Sequence, residues 1–101
     1  VIRPDGKLLY ASRAPIPSNK LNKFEKGSRQ VCVYAFPRKV LKIFSERKSK
    51  TDLENIEDIE YLRFLELGIE IRTIKMSQMS LAIDTPEDVT KAKKIIEKRN
   101  L

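Results

Sequence analysis

The chain has 101 residues, room for one small domain, and its 41% hydrophobic and 35% charged composition fits a folded, soluble protein. No apolar run nears the ~20 residues of a membrane span, and the opening "VIRPDGKLLY" has neither the charged head nor the apolar centre of a signal peptide. Cys32 is the only cysteine and histidine is absent, which excludes an internal disulfide, a Cys/His zinc site and a histidine-activated nucleophile, and makes the cytoplasm the natural compartment.

The net charge of +7 fits a nucleic-acid surface or an anionic small-molecule substrate. Many of the bases sit in "SERKSK" (45–50) and "KAKKIIEKR" (91–99). The second stretch is the C-terminal half of a predicted helix, where cations suit the negative end of the dipole. No aromatic residues interleave with these lysines, so a base-stacking platform is missing and nucleic-acid binding is not favoured. The chain lacks an initiator Met and opens on apolar residues, the pattern expected of a piece cut from a longer polypeptide.

In chain order, Pro4-Asp5-Gly6 signals a turn, and a strand is expected over residues 7–12. Pro15 and Pro17 make 13–20 an extended loop. Residues 21–28 are polar and expected to be mobile. "RQVCVYAF" (29–36) reads as a strand covered on both faces. Pro37 opens a helix with the stripe Pro37, Val40, Leu41 and Phe44.

Thr51-Asp52-Leu53-Glu54 has capping-box spacing, and one helix is expected from there to Leu67, with Gly68 as its left-handed stop. "IEIRTIKM" (69–76) alternates like a strand. A short strand over 81–83 then meets a helix start, with Thr85 as N-cap, Pro86 first in the helix and Glu87 and Asp88 at the positive end. Val89, Ala92, Ile95 and Ile96 form the apolar face of this last helix. The order implies an α/β fold, a mixed sheet with packed helices, and no internal repeat.

Asp84 stands where an apolar run meets a helix start. It could hold Mg²⁺, which takes oxygen ligands and only one or two from protein, or it could simply answer the helix dipole. On this helix, Glu60 has Ile56 and Phe64 at four residues' distance, and Leu53 and Leu67 at seven. A carboxylate centred on an apolar stripe needs a partner, either Arg63 one turn along or the hydroxyls of a ligand, unless the face is less buried than the pattern suggests. Gln30, Cys32 and Tyr34 share one strand face, Gln30 and Tyr34 about 13 Å apart, as sheet packing or as a pocket wall. Arg13 and Lys20 lie on the proline-stiffened loop. Arg13 has the fork to clamp a carboxylate or phosphate, or is a solvated loop base.

Taken together, "LLYASRAPIP" (8–17), "VCVYAFPRKVL" (31–41), "LENIEDIEYLRFLELG" (53–68) and "IDTPEDVTKAKKII" (83–96) resemble the C-terminal half of CMP-KDO synthetases, the 3-deoxy-manno-octulosonate cytidylyltransferases. The resemblance implies the C-terminal part of a Rossmann-like nucleotide-diphospho-sugar transferase fold, with residues 1–101 as its sugar-binding and dimer-forming half. It implies transfer of CMP from CTP to an acidic keto sugar, with Mg²⁺, in a homodimer serving lipopolysaccharide synthesis. By resemblance, Asp84 is a magnesium ligand, Glu60 a sugar contact, Arg13 the binder of the sugar acid, and Tyr34 part of the same pocket.

Three positions depart from the family pattern. Gln30 stands where histidine is usual, Tyr61 where glutamine follows the key glutamate, and Lys20 where arginine is common. All three belong to the expected sugar pocket, so a related acidic sugar is an alternative to KDO. The family's nucleotide-binding loop and second metal-binding aspartate are not in this chain, and there is no Gly-rich phosphate loop. The piece is expected to be inactive alone. The rival readings are a degenerate, non-catalytic interaction domain and a basic nucleic-acid binder.

Overall fold

The computed structural model describes residues 1–76 and 81–99. The four helices among them are α1 (Arg38–Glu46), α2 (Asp52–Glu57), α3 (Leu62–Glu66) and α4 (Pro86–Lys98). No strand forms among the described residues. Three isolated antiparallel bridges form instead, Ile2 to Leu8, Lys7 to Arg72 and, within residues read as loop, Ser18 to Phe24.

The expected strands at 7–12 and 69–76 do meet. Leu8 N–H donates to the Ile71 carbonyl (2.8 Å) and Thr73 N–H to that of Gly6 (2.8 Å), beside the turn in which Gly6 takes φ +87°. The pairing stops after this one bridge. Segment 29–36 has strand composition but no ladder partner, and Val33 is 82% exposed. A strand rich in β-branched and aromatic residues is stable when neighbours cover its faces and edges. Among the described residues only Tyr61 and Phe64 meet it, against Tyr34 and Phe36, and no strand pairs with its edges. The loop at 18–24 is more ordered than its polarity suggests. The Asn19 side-chain oxygen accepts from Leu21 N–H (2.9 Å) and Lys23 N–H (3.0 Å), across the Ser18–Phe24 bridge.

The core is small and centres on α2 and α3. Leu62, Phe64 and Tyr61 are buried, and so are Thr51, Glu54 and Arg63. A single helix over 51–67 was expected. Instead the chain breaks at Asp58, which takes the left-handed conformation (φ 52°, ψ 49°), and α3 begins four residues later. Asp tolerates this region better than most residues because its short side chain bonds locally. The break lets α3 fold back against α2.

The break also changes which acid is buried. Glu54, not Glu60, is enclosed, and Arg63 pairs with Glu54. Arg63 Nε donates to Glu54 Oε2 (2.6 Å) and Nη2 to Oε1 (2.8 Å). Arg63 Nη1 donates to the carbonyls of Phe44 (3.1 Å) and Arg47 (3.2 Å), closing the C-terminal end of α1. The guanidinium also lies 3.8 Å from the centroid of the Phe44 ring. The α2 start is held by Glu54, which accepts from Thr51 N–H (3.1 Å), and by Glu66 of α3, which accepts from Leu53 N–H (3.1 Å). Aromatic rings extend the core outward: Phe44 and Phe36 each pack on Phe64 at 5.2 Å, and Tyr34 packs on Tyr61 at 5.5 Å.

The expected helix ends are found. Pro37 precedes α1, and Gly68 follows α3 at φ +77°, with Ile69 N–H donating to the Phe64 carbonyl (2.8 Å). In α4, Thr85 is the N-cap and Pro86 comes first.

The Arg63 hydrogen bonds hold the Glu54 carboxyl below the usual carboxylate range. A depressed folded pKa stabilises above the unfolded value, about 4.3 for glutamate, and the contribution is lost as pH falls through the folded value. Acid unfolding should therefore set in below about pH 4. Glu54→Leu strands a buried guanidinium and should cost about 3–5 kcal/mol in chemical denaturation, with Glu54→Leu/Arg63→Met recovering most of that loss. A loss under about 1 kcal/mol for Glu54→Leu, the range of an exposed pair, would show that the pair does not hold α2 to α3.

Candidate functional site

The α2–α3 turn, residues 58–61, gathers most of the residues singled out in the sequence. Arg13 reaches it from the proline loop. Its Nε donates to the Glu57 carbonyl (2.5 Å) and its Nη2 to the Asp58 carbonyl (2.9 Å), so it caps the end of α2. Glu57 returns the grip on the loop. Its Oε1 accepts from Ser12 Oγ (2.7 Å) and Tyr10 OH (3.2 Å), and its Oε2 accepts from the Arg13 backbone N–H (2.9 Å). Asp58 pairs with Lys50 at 2.8 Å.

On the other side of the turn, the buried Tyr61 donates its hydroxyl hydrogen to Gln30 Oε1. The Gln30 amide lies 3.5 Å from Cys32 Sγ. Segment 29–36 is thus tied to α3 by Gln30, Tyr34 and Phe36, in place of a sheet ladder. The two family departures Gln30 and Tyr61 are bonded directly to each other.

Glu60 sits in the turn and is exposed, which corrects the apolar-stripe expectation. The stripe required an unbroken helix, and the left-handed Asp58 rotates Glu60 away from the packed face. Its negative charge still reaches Tyr34. The Tyr34 phenol is pushed up to about 12, first by desolvation and then by hydrogen bonding to Cys32, with the Glu60 charge a smaller cause. Burial raises Tyr61, and burial followed by the Glu57 hydrogen bond raises Tyr10. All three phenols are therefore neutral donors near pH 7 and not bases.

Lys20 is exposed on its loop and takes no part in these contacts. Asp84 is exposed as well, just before α4. The capping work there belongs to Asp88, whose Oδ2 accepts from Thr85 Oγ1 (2.9 Å), Thr85 N–H (3.1 Å) and Asp84 N–H (3.3 Å). The Asp84 carboxylate accepts none of these bonds. Among the described residues, no three or more of His, Cys, Asp and Glu gather as a metal cage. A divalent cation at Asp84 would take its other ligands from water, substrate or further protein, which suits Mg²⁺. Neither of two surface depressions contains Glu60 or Asp84. One runs along α1 past Leu41 and Phe44, and the other lies between Pro17 and Lys26.

Sequence reasoning missed Glu57 and the Glu54–Arg63 pair. A signal for Glu57 was present, since Glu54 and Glu57 are spaced to share a helix face. Nothing local announced the break at Asp58.

Comparison with known proteins then gives the chain a family. It is 37% identical over 103 residues to the 3-deoxy-manno-octulosonate cytidylyltransferase of Protochlamydia amoebophila, covering 99% of this chain and 39% of that protein. It is 40% identical over 96 residues to the Chlamydia caviae protein of the same name, covering 95% of this chain and 37% of that protein. The chain belongs to the 3-deoxy-manno-octulosonate cytidylyltransferase family. A mitochondrial relative of the same name in Arabidopsis thaliana is 34% identical over 104 residues, covering all of this chain and 36% of that protein. The chain spans about two fifths of the length of the relatives it matches, between 36% and 42%. No family model matches it. No helix among the described residues is long and apolar enough to cross a membrane.

The raised phenols give a direct check. At pH 10.0, the ordinary tyrosine value, well under half of the three tyrosines should be ionised in the folded protein by near-ultraviolet difference absorbance. Half-ionisation at that pH would show that Tyr34 and Tyr61 are not packed as described.

Proposed function

We propose that this chain carries the acid-sugar pocket and one metal ligand of an enzyme that transfers CMP from CTP to 3-deoxy-manno-octulosonate or a close acidic keto sugar. The products are CMP-sugar and pyrophosphate, for lipopolysaccharide synthesis. The chain acts as part of a longer cytoplasmic polypeptide, in a homodimer, and is inactive alone. In that setting, segments 29–36 and 69–76 join a mixed sheet of the Rossmann-like type.

The observation that carries this reading is the convergence of Arg13, Gln30, Tyr34 and Tyr61 on the turn that holds Glu60. Only one edge of the Arg13 guanidinium is spent on the α2 carbonyls. Nη2 also lies 3.7 Å from Asp58 Oδ2, and the Nη1 side, which has no hydrogen bond among the described residues, pairs with the sugar carboxylate. Glu60, exposed in the turn, accepts from sugar hydroxyls, and the neutral Tyr34 phenol donates to them. The anomeric hydroxyl attacks the α-phosphate and pyrophosphate leaves, a reaction governed by positioning and charge neutralisation. Mg²⁺ would supply that neutralisation, with Asp84 among its ligands. The Gln30–Tyr61 bond uses polar groups that family members would offer in another form, which supports a sugar differing from KDO at the position they face.

The test is made on the full-length protein. Asp84→Asn should lower CMP transfer by about 10²-fold or more, with the thermal midpoint unchanged. Arg13→Ala should raise the KM for 3-deoxy-manno-octulosonate by about 10–100-fold and leave the KM for CTP in place. Normal transfer by Asp84→Asn at saturating Mg²⁺ would remove the metal role, and equal losses for both substrates in Arg13→Ala would remove the sugar-acid role.

A further inference from the structure

We infer that Glu57 is the positioning residue for Arg13: it fixes the loop that presents the arginine and thereby sets how well the enzyme takes its acidic sugar. The inference rests on the reading above, that Arg13 binds the sugar acid.

Both oxygens and the carbonyl of Glu57 are committed to three residues of one loop, Tyr10, Ser12 and Arg13. The loop is held at its backbone, through Arg13 N–H on Oε2, and at two side chains through Oε1. Arg13 then extends along the end of α2, with Nε on the Glu57 carbonyl and Nη2 on that of Asp58. These bonds fix the Nε–Nη2 edge and leave the Nη1 side open. The Arg13 side chain is 65% exposed; its Nη2 also lies 3.7 Å from Asp58 Oδ2, and the Nη1 side is the part left to a ligand. A surface arginine held only by a loose ion pair keeps most of its rotamer freedom, and ordering it on binding weakens affinity. Here that ordering is already made. The Glu57 carboxyl is held below its usual range, first by the Arg13 N–H and then by Ser12, so it is an acceptor on both oxygens at neutral pH.

A purely structural role predicts a different outcome. If Glu57 only stapled the loop to the core, its loss would lower stability and weaken both substrates together. If it acts through Arg13, its loss affects the sugar and disappears once Arg13 is gone.

The experiment is a double-mutant cycle in the full-length protein, with 3-deoxy-manno-octulosonate and CTP varied separately. Glu57→Ala should raise the sugar KM by about tenfold, the loss expected of one charge-assisted hydrogen bond, while the CTP KM and kcat at saturating sugar stay within about threefold. In an Arg13→Ala background, Glu57→Ala should add no further change in sugar KM. Glu57→Gln should rescue in part, because a carboxamide can accept from Arg13 N–H while donating to the Ser12 and Tyr10 hydroxyl oxygens. Should Glu57→Ala fail to fold, Ser12→Ala removes one tie and should give a smaller rise in the same KM. A sugar KM that rises in Arg13→Ala but not in the Glu57 or Ser12 variants overturns the positioning role alone. So does a Glu57→Ala effect that adds in full to that of Arg13→Ala. A normal sugar KM in Arg13→Ala overturns both the positioning role and the reading beneath it.

Discussion

The Arg63 guanidinium belongs to α3, grips Glu54 of α2 with two bonds and closes the carbonyl end of α1, from a side chain only 9% exposed. Such a pair is costly to break, because either partner left alone is a buried charge without hydration. The rest of the helical core follows from it. Phe44 lies under the guanidinium, Phe64 packs on Phe44, and Phe36 packs on Phe64. The turn at 58–61 is the short connection that lets α3 return to this pair. The candidate site is built on that turn, so the geometry around Arg13 and Tyr61 is a consequence of where Arg63 must be.

Helix ends are the recurring theme. Arg63 closes α1, Arg13 closes α2 and Glu66 satisfies the first amides of α2. Short helices have few internal hydrogen bonds, so their unsatisfied end groups weigh heavily. Supplying those partners from distant side chains converts local helices into tertiary structure. The extended segments lack this device. Residues 29–36 and 69–76 carry strand-forming side chains, yet Val33 and Ile74 are both more than four-fifths exposed. Their pattern suits a sheet, and β composition alone forms no ladder without a neighbouring strand.

What the sequence disclosed divides along the same line. Signals that act within one turn were legible: Thr85 and Pro86 at the start of α4, Pro37 before α1, Thr51 with Glu54, and the left-handed Gly68. Signals that depend on another segment were not. Glu60 seemed central to an apolar stripe because periodicity assumes an uninterrupted helix, and a left-handed Asp58 has no local marker comparable to glycine. The same break folds α3 over Glu54 and buries it. At the site, the grouping of Arg13 with 57–61 depends on contacts 44 and 45 residues apart in sequence. Spacing does not report contacts of that range, whereas resemblance to a family does.

Which acids have no structural employment can be asked of all 14. Glu54, Glu57, Glu66 and Asp88 accept bonds that hold helices or the proline loop, and Asp58 and Glu70 pair with lysines. Asp5, Glu25 and Glu46 have partners on their own segments. Asp52 and Glu87 lie in the first turns of α2 and α4, where the helix dipole accounts for them. Glu97 lies among the lysines of α4, a solvated basic face. Among the described residues, Glu60 and Asp84 are what is left. Neither caps a helix, neither is buried, and Asp84 stands one residue before an N-cap that already has its acid in Asp88. Neither has a backbone group to satisfy among the described residues, which is why the proposed roles of cation ligand and hydroxyl acceptor fall to these two.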